Sequence, residues 1–392
     1  MKLFLSCLVI MNLIINAGFS QTFQIGHTQQ NFIDASRENR NITTEIYYPS
    51  NTTGDDVPVA TGQFPVLVFG HGFVMIWSAY DVVWEALVPN GYIMVFATTE
   101  TSFSPSHTDF AKDLAFLSGA LKEESEDITS LFYESVASQS AVMGHSMGGG
   151  SAFLAIQYDP TITAIATLAP ANTNPSSIAA ASDIFIPAIV FSGANDCITP
   201  PEEHQIPMYD SLSSVCKTFV SIIGGSHCQF ANYNFLCSVG ENSCSPDPEI
   251  TPAEQHTTTF SLLLPWLNFY LKNDCDAGPE FQELIMAGIG INTEQNCTLT
   301  CTGASETKES EGSFLKSYPN PSSHETTIIT SEILTNTTLT AYNPLGHIVK
   351  QINNIMGREI KFERGNLSQG LYYIRLTQGQ KVYGTKKIIF ID

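Results

Sequence analysis

A serine with glycines two positions away on either side is the feature of this sequence best able to do chemistry. Gly144-His145-Ser146-Met147-Gly148 has the form G-x-S-x-G, which places serine on a sharp strand-to-helix turn. The serine backbone is strained there, and a side chain at either flanking position would collide with the turn, so both must be glycine. The apolar run 140–143 predicts the strand before it, and residues 149–157 predict the helix after it, which is the context the motif requires. Amides at the start of such a helix can stabilise a developing oxyanion. The chemistry these residues suit is nucleophilic attack on an acyl carbon.

A serine hydroxyl is a poor nucleophile near neutral pH and needs a base held by an orienting acid. On this kind of scaffold the chain order is serine, acid, histidine. Asp196, in Gly193-Ala194-Asn195-Asp196, follows the apolar run 188–192, and His227, in Gly224-Gly225-Ser226-His227, follows the run 218–223. Both are expected at the carboxyl ends of adjacent strands, on the rim where open α/β sheets bind ligands. Asp183 precedes its strand, Asp210 falls in a helix-like stretch, and His204 and His256 follow no strand. The expected oxyanion hole combines the Met147 amide with that of Phe73, in the loop Gly70-His71-Gly72-Phe73. This chemistry requires neither a cofactor nor a metal, and none is expected.

The elements that must hold these residues follow a regular alternation. Apolar runs at 45–48, 65–69, 92–97, 140–143, 164–168, 188–192 and 218–223 are separated by amphipathic stretches such as 80–88 and 107–121. Several runs are continuously apolar, as in strands buried on both faces of a parallel sheet. The rhythm predicts a doubly wound, mostly parallel α/β sheet. A Ser/Glu/Thr-rich stretch then marks a linker, and short β-runs at 325–330, 337–342, 348–352, 359–362, 370–375 and 381–390 predict a small all-β sandwich. The expected organisation is an export signal at 1–20, a catalytic domain at 21–301, a linker at 302–315 and a β domain at 316–392.

Residues from about Tyr47 to Leu271 resemble the polyester-hydrolase and chlorophyllase-like branch of the dienelactone-hydrolase-related α/β-hydrolases. The stretches that carry the likeness are GHSMGGG at 144–150, NDCITP at 195–200, IPMYDSL at 206–212 and IGGSHCQFAN at 223–232. The resemblance implies an α/β-hydrolase fold and a secreted serine carboxylic-ester hydrolase acting through an acyl-enzyme. Enzymes of this kind that attack polyethylene terephthalate carry an aromatic at the Phe73 position, methionine after the nucleophile, and tryptophan after the Ala-Pro of the next strand. Ala171 takes that last place here, so the resemblance carries ester hydrolysis without the aromatic clamp. The tail resembles the C-terminal sorting domain of the type IX secretion route, through Tyr318-Pro319-Asn320-Pro321, Tyr342-Asn343-Pro344-Leu345-Gly346, LSQGLYY at 367–373 and Lys386-Lys387-Ile388. The secretion machinery is therefore an expected partner, and the cell surface or exterior the expected destination.

Composition narrows the alternatives. Lys2 followed by an apolar run to Ile15 and small residues before Gln21 reads as a cleaved export signal, too short for a membrane span. No later segment resembles a span, so no integral membrane segment is expected after cleavage. Up to residue 315 there are 8 Lys/Arg against 33 Asp/Glu, while residues 316–392 hold 9 against 5. So acidic a body disfavours nucleic acid and anionic membrane as partners. Beyond Cys7, eight cysteines in an exported chain favour disulfides. Fold geometry predicts Cys197–Cys228 across the two loops following the strands at 188–192 and 218–223, Cys216–Cys275 at the opposite edge, and local bridges Cys237–Cys244 and Cys297–Cys301. The acidic segment 232–255 is expected to be a solvated loop beside the site. A serine peptidase using the same residues, or a non-catalytic surface binding protein on a hydrolase scaffold, are the alternative functions.

Overall fold

In the computed structural model the chain forms two compact units, Met1–Cys301 and Thr302–Asp392. The described residues are 22–301, 315–343, 348–378 and 381–391. The expected export signal at 1–20, linker residues 302–314 and the Pro344-Leu345-Gly346 part of the tail motif lie outside them.

The first unit is built on a ten-stranded sheet. Its strands are β1 (Gln24–Asp34), β2 (Arg40–Ser50), β3 (Gly54–Asp55), β4 (Phe64–Gly70), β5 (Ile93–Ala97), β6 (Val136–His145), β7 (Ala164–Leu168), β8 (Ala188–Gly193), β9 (Lys217–Ile222) and β10 (Ile291–Gln295). They lie in the order β10-β9-β8-β7-β6-β4-β5-β2-β1-β3. From β5 across to β9 every neighbouring pair is parallel, while β2, β1 and β10 add antiparallel edges. The apolar runs are continuous because both faces are covered. In β4, Val66 and Val68 join the core on one face, and Leu67 and Phe69 the core on the other. The two-residue repeat of a strand divides its side chains in this way.

Among the described residues the helices covering the faces are α1 (Asp81–Leu87), α2 (His107–Glu124), α3 (Met147–Ala155), α4 (Ser177–Ala181), α5 (Gln205–Ser211), α7 (Pro252–Lys272) and α8 (Ala277–Ala287), while α6 (Phe235–Glu241) buries none of its residues. Those of α2, α3 and α5 supply Phe110, Leu114, Phe153 and Met208 to one core, and α1, α7 and α8 supply Val83, Leu263, Trp266 and Phe281 to the other. Each such large side chain taken out of water contributes about 1.5–3 kcal/mol, so the two layers hold the central strands rigidly beneath the rim. The start of α7 is fixed by a capping box, in which Thr251 and Glu254 satisfy each other's backbone amides, with Pro252 at the first helical position.

The second unit is an antiparallel β domain of five strands: β11 (Lys316–Tyr318), β12 (Glu325–Tyr342), β13 (Ile348–Glu363), β14 (Gly370–Gln378) and β15 (Lys381–Phe390). The expected runs at 325–330 and 337–342 are one long strand, and so are those at 348–352 and 359–362. Bulges between Ile329 and Leu339 shift the β12–β13 register without ending the pairing, since an extra residue bends a strand rather than breaking it. Ile328, Leu339, Phe362, Ile374 and Phe390 form its core.

The eight cysteines among the described residues all pair, but not as expected. The bridges are Cys197–Cys244, Cys216–Cys297, Cys228–Cys237 and Cys275–Cys301. Strand β10 explains the second. It runs antiparallel to β9 with Gln295 opposite Thr218, which carries Cys297 to the start of β9 and leaves Cys275, past the end of α7, to meet Cys301. The segment 232–251 explains the other two. It is not a plain solvated loop but a strap containing α6, whose start Asn234 caps. This strap lies along both loops that follow β8 and β9: Asn195 Nδ2 donates to the Asp247 carbonyl (2.8 Å), and the Glu249 amide donates to the Gly224 carbonyl (2.8 Å).

Candidate active site

The backbone of Ser146 sits at φ 54°, ψ −120°, in the left-handed region that costs a non-glycine residue of order 1–3 kcal/mol. Its surroundings enforce that geometry. The Ser146 amide donates to the Leu168 carbonyl of β7 (3.0 Å), and its carbonyl accepts from Gly150 (3.0 Å) and Ala171 (2.9 Å). A Cβ on Gly144 would strike the backbone of Gly148, and one on Gly148 the backbone of Gly70 and His71. The glycines of the motif are thus the points where two strand ends and a helix touch through their main chains.

His227 and Asp196 meet as the strand order implies. His227 Nδ1 lies 2.7 Å from Asp196 Oδ2, and both residues are buried. Asp196 Oδ1 accepts from the amides of Ile198 (2.9 Å) and Thr199 (2.8 Å), while Oδ2 also accepts from Thr199 Oγ1 (2.8 Å). Each oxygen therefore faces two donors, an inventory suited to a carboxylate. The two loops are joined through the main chain, where the Asn195 amide donates to the Gly225 carbonyl (2.8 Å). Ser146 comes to the same rim. The ring of His145, the residue before it, packs against the His227 ring with centroids 4.6 Å apart. Among the described residues the Ser146 hydroxyl makes no hydrogen bond to the imidazole.

Met147 opens α3, so its amide lacks a partner within the helix. The Phe73 amide donates to no acceptor among the described residues, and the loop carrying it is held by the Gly72 amide donating to Tyr80 Oη (2.8 Å). The Phe73 ring is half-exposed and makes an edge contact with Phe103, which is 77% exposed, at a centroid distance of 6.2 Å. Ala171, in the tryptophan position, donates its amide to Ser146 as described. Of the discarded competitors, Asp183 is exposed ahead of β8, while His204 lies within electrostatic reach of Asp196 and His227 but has its Nδ1 taken by the Asn172 amide (2.9 Å).

Three polar side chains that sequence reasoning passed over support the site. Gln255 of α7 clamps the peptide before His227, accepting from the Ser226 amide and donating to the Ser226 carbonyl, both at 2.9 Å. Gln205 of α5 donates to Thr199 Oγ1 (3.0 Å) and to the Pro170 carbonyl (2.9 Å). Thr199 sits three residues after Asp196, the spacing at which an Asp side chain turns back onto following amides, and that signal was available in the sequence. Neither glutamine has one. Among the described residues no group of three His, Cys, Asp or Glu side chains is arranged to hold a metal ion, and no helix is long and apolar enough to cross a membrane.

Comparison with known proteins agrees with this geometry. Residues 26–243 match the PET hydrolase-like family, and residues 316–391 match the secretion system C-terminal sorting domain. A cutinase of Thermobifida alba (est1) is 26% identical over 185 residues, covering 46% of this chain and 56% of its own length. Cutinase 1 of Thermobifida cellulosilytica is 27% identical over 184 residues, covering 46% and 64%. The bis(hydroxyethyl) terephthalate hydrolase of Streptomyces coelicolor is 26% identical over 186 residues, covering 46% and 54%. The match thus spans between 54% and 64% of the length of these relatives. The sorting domain routes the protein to the cell surface or beyond. A rim of this build on a doubly wound sheet, with the match covering more than half the chain, shows that the protein belongs to the PET hydrolase-like family.

Proposed function

We propose that the protein is an exported serine carboxylic-ester hydrolase of the polyester-hydrolase kind, with Ser146 as nucleophile, His227 as base and Asp196 as orienting acid. The observation that carries this reading is the buried 2.7 Å bond between His227 and Asp196 beside a serine held at φ 54°. In the first half-reaction His227 Nε2 takes the Ser146 proton while the hydroxyl oxygen attacks the ester carbonyl. The amides of Met147 and Phe73 stabilise the resulting oxyanion. Asp196, bonded at Nδ1, keeps Nε2 free to accept and then stabilises the imidazolium. The imidazolium returns its proton to the departing alkoxide, leaving an acyl-serine, which water deprotonated by His227 releases as the carboxylic acid.

Support for an apolar, polymer-like ester comes from the relatives' names and from the exposed Phe73–Phe103 pair, which offers an aromatic edge beside the Phe73 amide. The sorting domain supports the type IX machinery as the partner in export. The test is Ser146→Ala. It is expected to abolish hydrolysis of p-nitrophenyl butyrate and labelling by a fluorophosphonate probe while leaving the unfolding transition in place. Full retained activity in the folded variant would refute the assignment.

A further inference from the structure

The middle residue of the motif, His145, has no place in the chemistry above, yet it is completely buried at the centre of the site. Its Nε2 lies 3.1 Å from the His227 carbonyl oxygen. A carbonyl can only accept, so Nε2 carries the proton. Its Nδ1 lies 2.9 Å from Tyr80 Oη. Burial, with the nearby His227 adding to it, holds the His145 pKa well below that of a free imidazole; a neutral ring protonated on Nε2 must accept at Nδ1. Tyr80 therefore donates to His145, and its oxygen receives the Gly72 amide at 2.8 Å. Met75 Sδ, 3.3 Å from Tyr80 Oη, is a second and weaker acceptor for the same hydroxyl proton. With Nδ1 able only to accept, the directions run Gly72 N–H to Tyr80, Tyr80 O–H to His145, and His145 Nε2–H to the carbonyl of His227. Tyr80 is itself fully buried.

We infer that Tyr80 and His145 are positioning residues, a one-way hydrogen-bonded string that sets the loop carrying the Phe73 amide in register with His227 across the serine turn. The string begins one residue before Phe73, passes through the residue before Ser146 and ends on the main chain of His227. It thereby ties together the proposed oxyanion donor, nucleophile and base, which come from three separate strand ends. The inference rests on the ester-hydrolase reading of the site and adds two residues to it. Among the described residues neither hydrogen-bonds to the Ser146 hydroxyl or to a ring nitrogen of His227. Tyr80 holds a loop, and His145 holds another histidine by its backbone while packing on its ring.

The experiment uses the full chain and three variants. Tyr80→Phe keeps the ring and deletes the donor. His145→Leu deletes both links, and His145→Gln keeps an amide able to donate toward His227 and accept from Tyr80. With p-nitrophenyl butyrate, Tyr80→Phe and His145→Leu are expected to lower kcat roughly tenfold to a hundredfold with KM changed by less than about twofold, and His145→Gln to restore most of kcat. In 15N-histidine NMR of the unmodified protein at pH 7, His145 is expected as the neutral Nε2–H tautomer, a readout that needs neither a variant nor turnover. The inference is overturned if His145 carries its proton on Nδ1, or if folded Tyr80→Phe keeps its kcat. If Ser146→Ala stays active, the ester-hydrolase reading falls instead, and the tautomer measurement still judges the string.

Discussion

Replacing Asp196 with asparagine changes one atom and, on the proposed ester-hydrolase reading, should silence turnover through the proton it misplaces. In the structure Oδ1 faces two main-chain amides, of Ile198 and Thr199, while Oδ2 faces the Thr199 hydroxyl and His227 Nδ1. An amide has one acceptor oxygen and one donor nitrogen, so it cannot satisfy both sides. The main-chain amides cannot turn round, whereas the Thr199 hydroxyl can rotate and accept. Asparagine should therefore keep its oxygen toward Ile198 and Thr199 and point its NH2 at His227. Nδ1 must then accept, which moves the imidazole proton to Nε2, the atom that has to receive the serine proton. A triad whose histidine is locked in the wrong tautomer loses about 10⁴ in kcat. The loss of a charge-assisted bond at Oδ2 should cost about 1.5–3 kcal/mol of folding stability. Turnover of p-nitrophenyl butyrate, measured beside urea unfolding, separates the two effects. A folded Asp196→Asn protein that keeps kcat within about tenfold of the parent would refute the orientation argument and the acid's assigned role with it.

Two further outcomes follow from the scaffold. Replacing Cys197 and Cys244 together with serine removes a bridge spanning 47 residues, which on loop-entropy grounds should lower stability by about 4 kcal/mol; an unchanged urea midpoint would count against that bridge. The second concerns pH. Burial lowers the pKa of His71 and His145, so both stay neutral when folded but take up protons near pH ~6.5 when unfolded. Their contribution is present above that pH and is lost as pH falls, with a limiting slope of about 1.4 kcal/mol per pH unit for each proton taken up. His27 has the opposite sign. Its partial burial works to lower the pKa, but hydrogen bonds to Asp55 and Glu45 outweigh this and raise it. Its contribution is present below pH ~6.5 and is lost as pH rises through the folded value. His27→Gln should therefore steepen the decline in stability between pH 7 and pH 5 followed by urea unfolding; a shallower decline would contradict this.

What could be read from the sequence were features that depend on local pattern. Continuous runs such as 66–69 announce strands buried on both faces, and the glycines around Ser146 announce a turn where main chains touch. The strand-end placement of Asp196 and His227 followed from counting strands. Strand β1 escaped because its inward positions include Gly26, Thr28 and Asp34, while Ile33 points outward. Strand β10 escaped because Ile291 is its one buried residue. The cysteine pairing then failed as a consequence, since Cys216–Cys297 exists only because β10 lies beside β9. Tyr80 and His145 could not be recognised at all. Their roles are set by hydrogen-bond directions between segments 65 residues apart in the chain, and neither leaves a trace in spacing or hydropathy.

The strap around α6 is fastened at Cys197 and Cys228, each one residue beyond a member of the proposed triad. Such links persist in oxidising surroundings and are reduced in a bacterial cytosol. A copy held back inside the cell would have its strap unbuttoned from the acid and histidine loops, and the Cys216–Cys297 link beside β9 and β10 would be open as well. Export would then do more than deliver the molecule: it would complete the last stitches beside the proposed reaction centre.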